Sequence, residues 1–90
     1  MICITDFILT GRENAISLAD LSHVTELPER AVRKEILQAR LEGKLIISSD
    51  EGYYMPSDED DIREYAIRRK AYILTANKAL KPFLKALKGR

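Results

Sequence analysis

Apolar residues recur at helical spacing in three parts of this 90-residue chain. In the first, Leu18, Leu21 and Thr25 share a face, and Ser17 precedes them as an N-cap with Asp20 three residues on. In the second, Val32, Ile36 and Ala39 fall at i, i+4 and i+7 and predict an inward stripe. Pro28 suits the first turn of that helix, where a missing N–H costs nothing, and Gly43 follows as its C-cap. The third stripe is the longest. Ile62, Tyr65, Ala66, Arg69, Tyr72, Ile73, Ala76, Leu80, Phe83 and Leu87 line one side of a pattern opened by a second N-cap pair, Ser57 and Asp60. A proline interior to a helix removes a hydrogen bond and clashes with the preceding turn. Pro82 therefore predicts a main helix over 58–81 and a short tail helix after it.

The remaining segments carry other patterns. Met1 to Leu9 is mostly apolar and predicts a short helix ended by Gly11, with a brief strand at Ala15 and Ile16. Leu45 to Ser49 and Tyr53 to Met55 flank Asp50-Glu51-Gly52 and predict a β-hairpin, stopped by Pro56. Tyr53 and Tyr54 point to opposite faces of their strand, so one belongs in the core and the other outside. The fold class is mainly α with a small β-hairpin.

An apolar fraction of 46% and a charged fraction of 32% describe a globular chain rather than a disordered one. No apolar run approaches the roughly 20 residues of a membrane span. The opening MICITDFIL has no basic segment and carries Asp6, so it does not read as a signal peptide, and a cytoplasmic location is expected. One cysteine, Cys3, and one histidine, His23, supply neither a disulfide nor a metal cluster nor a nucleophile–base pair. The acids Asp58 to Asp61 lack the spacing of a calcium loop and suit a helix start. No enzyme, metal or cofactor is expected.

Net charge is only +1, but it is unevenly spread. Residues 28–44 hold five bases against three acids, 45–61 hold six acids and no base, and 62–90 hold nine bases against Glu64. An anionic partner thus has two places to go, the second helix and the C-terminal segment.

The order helix, brief strand, helix, helix, hairpin, helix resembles the winged helix-turn-helix family over residues 2–56. LSHVTELPERAVRKEI (Leu21 to Ile36) falls in helix-turn-helix register, with Leu21, Leu27 and Val32 where the two helices pack. GKLIISSDEGYYMP lies where the wing belongs. The small, helix-tailed format is similar to short bacterial and phage winged-helix proteins. Ser22, Glu26 and Glu35 depart from common family usage. Glu26 stands where glycine is frequent, so it is expected to take a left-handed backbone. The resemblance implies a winged helix-turn-helix domain over 1–56, and 57–90 reads as a basic helical extension.

It also implies double-stranded DNA as partner, with the helix at 28–42 in the major groove. Arg30 and Arg33 are the candidates for base edges, Lys34 and Lys44 for phosphates, and Gln38 for adenine; Glu29 shares the leading turn. Arg68, Arg69 and Lys70 are candidate backbone contacts. The tip acids Asp50 and Glu51 would repel phosphate, so the hairpin tip is expected off the DNA. A transcriptional regulator or replication accessory factor follows. The plainer reading is a solvated amphipathic face.

Leu37 and Leu41 point outward on the same helix. They are expected under the hairpin or the long helix; failing that, they form a patch for a protein partner. That patch and the acidic hairpin would make an interaction adaptor instead. A helix of about 24 residues runs about 36 Å, more than a small core can cover. Its stripe is expected to dimerise through Ile62, Tyr65, Tyr72, Ile73, Ala76 and Leu80, setting two reading helices about one DNA turn apart. Alternatively it folds back on Ile2, Ile4, Phe7 and Ile8.

Overall fold

The computed structural model describes residues 3–89. Two short helices, α1 (Leu18–Thr25) and α2 (Glu29–Leu41), pack against each other and carry most of the core. Strands β1 (Ile47–Ser49) and β2 (Gly52–Tyr54) form an antiparallel hairpin, and α3 (Glu59–Lys88) follows it.

Each helix starts where a side chain or carbonyl takes up orphan N–H groups. The Ser17 hydroxyl accepts from the Asp20 amide at 3.1 Å, as the sequence pair predicts. The Pro28 carbonyl accepts from the Ala31 and Val32 amides, which makes Pro28 the N-cap rather than the first helical residue. At α3 the cap is Asp58, which accepts from the Asp61 amide at 2.9 Å; Ser57, the expected cap, instead donates its amide and hydroxyl to the Asp61 carboxylate. The carboxylate is the better acceptor for amides at the positive end of a helix.

α1 ends at Glu26, whose φ of 59° is left-handed, as its place in the turn requires. The Ser22 hydroxyl crosses this turn to donate to the Leu27 carbonyl. Gly43 ends α2 at φ 98°, its amide bonded to the Arg40 carbonyl.

The core is Ile4, Ile8, Leu21, Val32, Ile36, Ala39 and Ile46, flanked by the half-buried Phe7, Ile16, Leu18, Leu27, Tyr53 and Met55. Burying each large member contributes about 1.5–3 kcal/mol. The inward stripe of α2 is thus as its spacing predicts. The tyrosines divide less sharply than alternation predicts: Tyr54 is buried, but Tyr53 is half-buried against the core rather than exposed.

The N-terminal segment corrects one expectation. It holds a single 3-10 turn at Ile4–Phe7, not a helix to Leu9; Met1 and Ile2 lie outside the described residues. Its backbone has another use. The Leu9 carbonyl accepts from the Met55 amide and the Gly11 amide donates to the Met55 carbonyl, while Ile16 and Tyr53 exchange two bonds of 2.8 and 3.0 Å. The expected strand at Ala15 and Ile16 is reduced to that one bridge, which leaves β2 flanked on both sides. The hairpin turn is also tighter than predicted, since Gly52 already pairs with Ser49 and only Asp50 and Glu51 remain in the loop.

α3 corrects a second expectation. It runs unbroken through Pro82 for 30 residues. Every residue from Ala66 to Gly89 is exposed, so water can reach the Lys78 carbonyl that Pro82 leaves without a partner. This exposure also excludes folding back onto Ile4, Phe7 and Ile8. The radius of gyration is 16.2 Å against about 12 Å for a compact chain of this length, because α3 extends beyond the core.

Candidate nucleic-acid interface

The outer side of α2 is set by its inner one. With Val32, Ile36 and Ala39 buried, residues about half a turn away must face out, and Glu29, Arg30, Arg33, Lys34 and Gln38 are all exposed. Among the described residues none of the three bases makes an ion pair or a side-chain hydrogen bond; the ion pairs present are Arg12–Glu51, Arg63–Glu59 and Arg63–Asp60. The glutamates of α2 neutralise none of them through an ion pair. Three free cations therefore project from the first two turns, beside N–H groups that already favour anions.

The other predicted contacts lie elsewhere. Lys44 is exposed one residue past Gly43, at the far end of α2, and lines a groove rather than the leading turns. Arg68, Arg69 and Lys70 are exposed on α3. The Arg68 guanidinium stands 5.7 Å from the centre of the Tyr65 ring, and Arg69 stands 5.4 Å from that of Tyr72. The structure thus brings Glu29, Arg30, Arg33, Lys34 and Gln38 onto one helix face, and sets Lys44 and the α3 bases apart from them.

Leu37 and Leu41 do not pack under the hairpin or α3. They are 56% and 74% exposed, an apolar pair on the outside of α2.

The groove holds a residue that sequence reading missed. Arg40 is half-buried, its Nε donates to the Ile46 carbonyl at 2.9 Å, and its guanidinium lies 5.7 Å from the Tyr65 ring centre. Its buried Nη2 has no partner. Arg40 follows Ile36 by four residues, at the edge of the inward stripe, and that spacing was the available signal. The groove, of about 250 Å³, opens between this end of α2, the hairpin and the start of α3, where Ile47, Ile62 and Tyr65 line it. The Ser48 hydroxyl of the hairpin and the Tyr65 hydroxyl of α3 lie 3.3 Å apart.

No protein-family model matches the chain, and neither a curated protein nor a solved structure matches it significantly.

The hairpin and the start of α3 are negative. Asp50 and Glu51 are exposed at the tip, where Glu51 pairs loosely with Arg12 at 3.8 Å. Asp61 is held ionised below the usual carboxylate range, first by the Ser57 amide, then by the Ser57 hydroxyl, with smaller help from Arg12. Among the described residues no three histidine, cysteine or acidic side chains are placed to hold a metal, and no helix is long and apolar enough to cross a membrane.

Proposed function

We propose that this chain is a winged-helix DNA-binding protein of bacterial or phage type, acting in the cytoplasm as a transcriptional regulator or replication accessory factor. The observation that carries the reading is the free cationic face of α2. Arg30, Arg33 and Lys34 project unpaired from the leading turns of the second helix of a two-helix unit that a hairpin follows. In this reading α2 enters the major groove, Arg30 and Arg33 bond guanine edges, and Lys34 bonds phosphate. Gln38, one turn further along the same face, reaches for adenine. The acidic tip stays off the duplex. Two copies, joined through α3, engage a two-fold site.

Mobility shift on short duplexes of random sequence tests this. Wild type should bind, and Arg30→Ala or Arg33→Ala should each cost about 1–3 kcal/mol on preferred sequences and flatten the preference among them.

A second reading is favoured by a specific observation. Leu37 and Leu41 are an uncovered apolar pair on the same outer side of α2. With the acidic hairpin they would suit a protein partner, and the chain would be an interaction adaptor. Failure to bind any duplex at low salt would select it.

A further inference from the structure

We infer that α3 is covered by the α3 of a second copy, running antiparallel, with the C-terminal turns of each seated in the groove of the other. This rests on the dimer part of the reading above and not on its DNA part.

The exposed stripe keeps a coiled-coil period. Ile62, Ala66, Arg69, Ile73, Ala76, Leu80, Phe83 and Leu87 are spaced alternately by four and three residues along one unbroken helix. Volume and charge along that seam distinguish the two directions. Side by side in parallel, the pairs would be Arg69 with Arg69, Ala76 with Ala76 and Phe83 with Phe83: a repulsion, a void and an overfilled layer. Antiparallel and centred between Leu74 and Thr75, Ile62 meets Leu87, Ala66 meets Phe83, Arg69 meets Leu80 and Ile73 meets Ala76. Two of these layers set alanine against a large residue, and none stacks Arg69 on Arg69 or Phe83 on Phe83. On one flank of the seam, displaced by two residues from the seam register, Tyr65 comes nearest Ala86 and Tyr72 nearest Ala79, again large beside small.

Two further observations agree. The outer positions of α3 are acidic at its start and basic from Lys78 to Lys88, so the antiparallel pair separates like ends. The groove beside Ile62 and Tyr65 lies where the incoming Phe83 and Leu87 would arrive, and both are exposed, at 70% and 67%. The last turn of a helix also carries unsatisfied carbonyls, the acceptor type that Arg40 Nη2 lacks. Pro82 falls outside the seam, and so do Ile67 and Leu74, which stay uncovered.

Light scattering and disulfide trapping in a Cys3→Ser background test the arrangement. Wild type should have the mass of two chains, and Leu80→Asp, which touches no core residue, should have the mass of one with its α1–α2 unit still folded. Mixed Ala66→Cys and Phe83→Cys chains should form a disulfide-linked heterodimer on mild oxidation, and neither alone should link to itself. A wild-type mass other than two chains overturns the proposal. So do self-linked Ala66→Cys chains, which would mean parallel helices. Either result leaves DNA binding by α2 to be judged separately by mobility shift.

Discussion

Gly52 shows how one residue can hold the hairpin to the rest of the unit. Its φ is 126°, and a Cβ there would be driven onto the Ile16 carbonyl, which already bonds the Tyr53 amide. Both the backbone shape and the space require glycine. Gly52→Ala is expected to cost about 2 kcal/mol or more, read as a lower denaturation midpoint with unchanged slope. At Gly43, by contrast, nothing lies within 4 Å of the added carbon, and only the positive φ resists substitution. Asp61 carries a pH signature instead. Its folded pKa is lowered from 3.8, so its contribution is present above that value and is lost as pH falls through the lowered folded value. The Ser57 amide should stay protected from hydrogen exchange at pH 5 and lose protection in that acid window. Asp61→Asn should remove the pH dependence there.

The helices were legible to the degree that their causes were local. Ser17 and Glu26 act on their immediate neighbours, and the Val32/Ile36/Ala39 stripe needs only the helical period; all are where the sequence puts them. The N-terminal segment was not, because its apolar composition suits a helix while Leu9 and Gly11 bond Met55, more than forty residues away. The choice of Asp58 over Ser57 as cap turned on which of two adjacent acceptors the first turn meets, a matter of a single residue. Arg40 looked like one more surface base because the Ile46 carbonyl and the Tyr65 ring that hold it come from two other elements.

The usual cost of an interior proline predicts a break at Pro82. That cost is lessened where the freed carbonyl faces solvent, as along the bare half of α3. Helix content of the chain should still be raised by Pro82→Ala, since alanine is favoured over proline by about 3 kcal/mol in a helix interior. Circular dichroism would show deeper helical bands and a higher melting temperature for α3, with the α1–α2 core unchanged.

At the scale of the molecule, the cationic outside of α2 and the apolar length of α3 both lack a partner among the described residues. They face different needs. The α3 stripe is a burial problem, solved by a second apolar helix. The α2 face is an electrostatic one, since its bases have no acid among the described residues and a phosphate chain supplies many. An overall charge of +1 means the attraction is local, so affinity should depend on those few side chains rather than on a broad field. A protein partner, docking on Leu37 and Leu41, would be nearly indifferent to moderate salt; a polyanion would not.

The most direct test of the α2 assignment is therefore the salt dependence of binding to a short duplex, measured by fluorescence anisotropy for wild type and for Lys34→Ala. Each phosphate contact contributes a slope of about −0.9 in log K against log salt. The account predicts a steep loss of affinity with rising salt for the wild type and a slope shallower by about 1 for Lys34→Ala. Binding that is absent at low salt, or that ignores salt, would contradict it.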